Sequence, residues 1–112
     1  MVTQTLHVFS VYSPPAGTQS NDAVRGHLIS YLDKAMEGSH KHPCLLAGDF
    51  NHDARRTLAA TCSSPLLALA KRWRLRHVNA SIPNLHLTHF PHAAANAPSM
   101  IDEFLVSTSL FD

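Results

Sequence analysis

An α/β layered fold is predicted by three features of this chain: short apolar or alternating runs bounded by proline and glycine, two segments with apolar residues at helical spacing, and the alternation of the two kinds along the sequence. The order that results is β-α-β-α-β-β. No internal repeat or linker interrupts it, so residues 1–112 are read as a single domain.

The first strand is expected over residues 5 to 12, from Thr5 to Tyr12. Pro14-Pro15-Ala16-Gly17 ends it, because proline donates no ladder hydrogen bond and glycine accepts turn geometry. Ser20, Asn21 and Asp22 offer N-caps to a helix whose apolar stripe is Val24, Leu28, Tyr31, Leu32 and Ala35, with Gly38 placed to stop it. His40-Lys41-His42-Pro43 connects to a second strand, Cys44 to Ala47, which carries Gly48-Asp49-Phe50-Asn51 on the loop at its end. Ser64 before Pro65 reads as an N-cap and first helical residue. Leu66, Leu69, Ala70 and Trp73 follow at helical spacing, with Lys71, Arg72, Arg74 and Arg76 at the helix end. Residues 79 to 84 are loop-like, Leu85 to Phe90 is a short strand, and Pro91 to Pro98 a connection. Ile101 to Val106 is the last strand.

Nine Lys and Arg against eight Asp and Glu give a formal charge of +1, which excludes a global positive field steering the chain to nucleic acid. Any such footprint must be local, and the cations at 71, 72, 74 and 76 are either that or a solvated helix end. Two cysteines, Cys44 and Cys62, make no disulfide framework. No apolar run approaches the ~20 residues that span a bilayer, and no basic segment precedes an apolar one at the N-terminus. The expectation is a soluble intracellular protein, cytoplasmic or nuclear. His86, His89 and His92 do not read as a metal site, since Pro91 and the strand-like Leu85-His86-Leu87 break the helix their spacing would need.

Two motifs carry chemistry. Gly48-Asp49-Phe50-Asn51 sits at the carboxyl end of a buried strand, where open α/β sheets place their ligand crevices. Downstream lies Ser99-Met100-Ile101-Asp102-Glu103-Phe104-Leu105-Val106-Ser107. With both in hand, the chain resembles the second half of the endonuclease/exonuclease/phosphatase superfamily, and most of all the endonuclease domains of non-LTR retrotransposons. Val11-Tyr12-Ser13-Pro14-Pro15 is similar to the family's strand ending in Tyr-x-Pro, and the spacing through Thr88-His89-Phe90 to Ser99-x-Ile101-Asp102 agrees. The resemblance implies a two-sheet α/β sandwich, of which this chain would be an incomplete part, with Mg2+ or Mn2+ as cofactor and nucleic acid, DNA above all, as substrate.

It also implies roles residue by residue. Asp49 matches the carboxylate that orients the attacking water, Asn51 the amide that holds phosphate and neighbouring groups in register, and Asp102 the carboxylate that supports a catalytic histidine. Tyr12 matches a phosphate-contacting hydroxyl. Thr88 and Phe90 match pocket-lining residues, and Ser99 and Ser107 match residues that support the site. The departures are Pro15, where some relatives carry a phosphate-binding asparagine, and Glu103, where a bulky residue is usual. The family's glutamate metal ligand and closing Ser-Asp-His have no match in the chain, which reads as cut at both ends. Groups that act as a unit lose most of their effect when members are missing, so a weakly active or inactive site is expected. The alternative is a non-catalytic remnant of the fold with at most weak nucleic-acid binding; an unrelated α/β binding module leaves both motifs unexplained. A half-sandwich would also expose one sheet face and invite self-association.

Overall fold

The computed structural model describes residues 4–52, 64–78 and 101–111. Its elements in chain order are β1 (His7–Tyr12), α1 (Gln19–Ser39), β2 (Cys44–Asp49), α2 (Pro65–Arg72), β3 (Leu75–His77) and β4 (Asp102–Ser107), followed by the single 3-10 turn Thr108–Leu110. The strand expected at Leu85–Phe90 lies outside the described residues. The third strand of the described chain is instead Leu75–His77, inside the stretch read from sequence as a helix end.

Thr18, not Ser20, Asn21 or Asp22, caps α1: its Oγ1 accepts the Asn21 N–H at 3.2 Å. Asp22 lies in the first turn, where its Oδ1 accepts the Gly17 N–H at 3.1 Å and its charge faces the positive end of the helix. Gly38 does not stop the helix. The helix runs to Ser39, where the His40 N–H donates to Met36 O at 2.8 Å and the His40 ring Nδ1 lies 2.9 Å from Glu37 O, so the last carbonyls are occupied just beyond the expected stop. The buried stripe is also rotated from the expected one. Leu32 and Met36 are fully inside with Leu28 and Ile29 beside them, whereas Val24 and Tyr31 are exposed, because the i, i+4 ridge 28-32-36 is the one that meets the sheet.

Ser64 caps α2 as its sequence requires, accepting the Leu67 N–H at 3.1 Å, with Pro65 in the first turn where its missing donor costs nothing. The helix ends at Arg72. Arg74 then takes a left-handed conformation (φ 53), which reverses the chain into β3. The four cations therefore do not form one helix face. Arg72 donates to Asp33 Oδ2 at 2.8 Å, while Arg76 lies on β3 over the Phe111 ring at 4.7 Å.

The strands form one mixed sheet in the order β1-β2-β4-β3. β1 and β2 are parallel and joined through α1 as a βαβ unit; β4 runs antiparallel to both β2 and β3. Val11, Cys44, Leu46, Leu105 and Leu75 of the sheet form one core with Leu32 and Met36 of α1 and Leu66, Leu69 and Ala70 of α2. Both helices thus cover the same face. Each buried leucine contributes about 1.5–3 kcal/mol through removal from water. By strand alternation, the opposite face carries Val8, Ser10 and Tyr12 of β1, then Leu45 and Ala47 of β2, then Val106, Phe104 and Asp102 of β4. Val8 is 62% exposed and Phe104 49%. No helix of the described residues is long and apolar enough to cross a membrane.

β2 runs two residues beyond Ala47, so Gly48 and Asp49 belong to the strand and not to a loop. Gly48 has φ 143, and a Cβ there would fall inside the Val11 carbonyl, so only glycine lets β2 stay paired with β1 at this register. Gly48→Ala is expected to lower stability by about 2–4 kcal/mol, read as a reduced urea midpoint, since the clash is with backbone that cannot step aside.

Candidate functional site

Three of the motif residues lie in one lateral row. Tyr12 ends β1 and pairs with Asp49 at the end of β2, and Asp49 pairs in turn with Asp102 at the start of β4. The row is extended by backbone bonds on either side of it: the Ser13 N–H donates to Asp49 O at 2.8 Å and the Phe50 N–H to Ile101 O at 2.9 Å. Antiparallel ladders alternate hydrogen-bonded and closely approaching pairs. With Phe50 and Ile101 hydrogen-bonded, Asp49 and Asp102 occupy the close kind, with Cα atoms about 4.5 Å apart by that geometry. Two carboxylates opposed in this way destabilise a sheet by about 0.2–1 kcal/mol in the absence of a counter-charge.

Phe50 is 2% exposed and anchors the chain in the core immediately after Asp49. Asn51 then turns with φ 47, a left-handed conformation that asparagine tolerates better than most residues. Its N–H donates to Asp49 Oδ1 at 2.9 Å, closing an Asx turn that fixes one carboxylate oxygen. Its side-chain Nδ2 donates to Ser13 O and so ties the segment after β2 to the segment after β1. Tyr12, 68% exposed, presents its ring to solvent at the strand end and is no core aromatic.

Ser107 lies at the far end of β4 from Asp102, where its Oγ accepts the Cys44 N–H at 2.7 Å and holds β4 to the start of β2. Burial pushes the Cys44 thiol up from its ordinary pKa, with the Ser107 hydrogen bond opposing; the thiol is free and faces the carbonyls of His42 and Ser39. Thr88, Phe90, Ser99, Cys62 and the histidines at 86, 89 and 92 lie outside the described residues.

Two features of the site have no role assigned by the motifs. Arg25, a turn and a half into α1, directs its Nη1 at Ser13 Oγ (3.3 Å), Pro14 O (2.8 Å), Phe50 O (3.2 Å) and Asn51 O (3.4 Å). Beside it lies a cavity of about 210 Å³ whose walls include Leu28, Ile29, Phe50, His52 and Leu66. The second feature is Glu103, which sits on the helix-covered face at 3% exposure. Its Oε2 lies 3.8 Å from His52 Nδ1 and 3.9 Å from His77 Nδ1, and His52 Nε2 lies 3.1 Å from Ser64 Oγ. Glu103 is thus packed against two histidines, which explains how an acid is accommodated in the core layer. Strand alternation at 103 and 105 marks the position as inward; its partners come from other parts of the chain and carry no local signal.

The chain matches no family model and no curated protein.

Burial holds His77 below its ordinary value of 6.5; Glu103 opposes this and His52 adds to it. The unfolded chain therefore takes up this proton before the folded one, so the stability present above about 6.5 is lost as pH falls through the folded-state value. The urea midpoint is expected to drop between about pH 7.5 and about pH 5.5, and His77→Gln to remove part of that drop; an identical drop in the variant would assign acid sensitivity to other groups.

Proposed function

We propose that this chain carries part of a metal-dependent phosphodiester-hydrolysing site of the retrotransposon-endonuclease type, weakly active or inactive by itself. The observation that supports the reading is the Tyr12-Asp49-Asp102 row: residues separated by most of the sequence, chosen by motif alone, fall side by side in register at one end of the sheet. The face opposite α1 and α2, which no helix of the described residues covers, is where this reading puts the second sheet of a sandwich, and self-association through it is part of the same reading.

Asp49 is the water-orienting base. Its Asx turn holds one oxygen on the Asn51 N–H and thereby sets the direction of the carboxylate. The Tyr12 hydroxyl is a neutral donor to a phosphate oxygen, and Asn51 keeps the two exit segments in register. Asp102 is the acid that would orient a histidine, for which the resemblance finds no counterpart in this chain. Among the described residues no three His, Cys, Asp or Glu converge to hold a metal. The opposed pair Asp49 and Asp102 nevertheless fits Mg2+ or Mn2+ in its donor chemistry, because these hard cations are commonly held by one or two carboxylates with waters and phosphate oxygens completing the shell. When bound, the cation would supply neutralisation of charge developing on the phosphate and leaving oxygen.

The test is nicking of supercoiled plasmid by the purified chain. We expect residual Mg2+-dependent nicking, on the order of 10³-fold or more below an intact constellation, that stops with EDTA and falls to background in Asp49→Ala. Tyr12→Phe is expected to retain folding and lose roughly tenfold in rate. A folded chain that never nicks would favour the second reading, a non-catalytic remnant with at most weak nucleic-acid binding.

A further inference from the structure

We infer that Arg25 is a positioning residue that clamps the Asp49–Asn51 segment to the Ser13–Pro14 segment and so holds the Tyr12-Asp49-Asp102 row in register. Its meaning for catalysis rests on the phosphodiester reading; the clamp itself does not.

The geometry is that of a hub. One guanidinium nitrogen lies 2.8–3.4 Å from four oxygens, two on each exit segment. Among the described residues it is the donor that reaches Phe50 O and Asn51 O, carbonyls displaced from the ladder where the chain leaves β2. The base of the clamp is rigid. Arg25 rises from the α1 face that continues into Leu28 and Ile29, packed on the core, and the helix start is fixed by the Thr18 cap and the Gly17–Asp22 bond. Hydrogen bonds from a permanently charged donor are about twice as strong as neutral ones, and the planar guanidinium presents its donors in a fixed direction that a lysine ammonium does not.

What the clamp holds is the site. Between β1 and β2 the ladder continues past Tyr12 only through the Ser13 N–H to Asp49 O, with Asn51 Nδ2 to Ser13 O as the side-chain tether beyond it. Arg25 binds residues on both sides of those two bonds without itself belonging to the exposed row. Displacement of a reacting group by about 1 Å can cost on the order of 10²-fold in rate, so a residue that touches no substrate can still set the rate.

The experiment compares wild type, Arg25→Gln, Arg25→Lys and Arg25→Ala by amide hydrogen exchange and by plasmid nicking. In Arg25→Gln, the Ser13 amide is expected to lose about tenfold protection and the Asn51 side-chain amide resonances to shift, while Leu32 and Met36 in the helix core keep theirs. Arg25→Lys is expected to fall between, and it carries the test should Arg25→Gln fail to fold. Nicking should fall about tenfold at unchanged plasmid affinity, and millimolar guanidinium should restore part of it in Arg25→Ala. Unchanged Ser13 protection overturns the clamp. Equal loss at Leu32 and Met36 overturns it too, since Arg25 would then merely hold the fold together, and a rate lost wholly through weaker plasmid binding overturns the positioning role. If wild type does not nick, the catalytic part of the phosphodiester reading gives way to the non-catalytic remnant, while hydrogen exchange still decides the clamp.

Discussion

The backbone of β2 passes so near that of β1 at Gly48 that no side chain fits between them, and the candidate site depends on that close approach. With the strands in this register, Tyr12 meets Asp49, and the Ser13 N–H finds Asp49 O one step further on. A side chain at 48 would push the strands apart or shift them. A shift of one residue would turn every side chain of β2 to the opposite face, removing Asp49 from the row and Leu46 from the core together. The fold and the site thus share one constraint, and stability cannot be varied there without moving the carboxylate.

The distribution of the helices follows from the same sheet. α1 and α2 both lie against the face of Leu46 and Leu105, and Asp33 joins them, accepting from Arg72 Nη1 and from Trp73 Nε1 at 2.8 Å each. Because both layers are on one side, charged and polar site groups can stand on the other without being buried among the core leucines. Glu103 is the exception, placed by strand alternation on the helix side, and it is tolerated because His52 and His77 approach it there. One strand therefore carries adjacent carboxylates in opposite environments. Asp102 faces solvent and the row, while Glu103 faces histidines in the core layer.

Much of this was legible in the amino-acid order, and the rest was hidden for physical reasons. Period-2 and period-3.6 patterns located β1, β2, β4 and both helices, and Ser64-Pro65 announced the start of α2 because capping is a local matter. The stripe on α1 was misjudged at Val24 and Tyr31, since periodicity shows that a helix has an apolar side but not which of two overlapping ridges the sheet will take. β3 was hidden because the reversal before it uses Arg74 in a left-handed conformation, where no glycine or asparagine marks the turn. Tyr12, Asp49, Asn51 and Asp102 were readable as motif residues. That the first, second and fourth stand side by side was not, because β2 pairs with a strand far along the chain. Arg25 gave no signal either: a single cation on a helix looks the same whether it faces water or two chain reversals.

The strand order has a consequence for assembly. β4 separates β2 from β3, although β3 precedes it in the chain. Among the described residues, β3 is joined to α2 by a short reversal and pairs with β4, which in turn pairs with β2. Insertion of β4 is a long-range closure that completes both of these ladders. During synthesis, the β2 and β3 edges that face β4 therefore gain their native pairing only once residues 102–107 have left the ribosome.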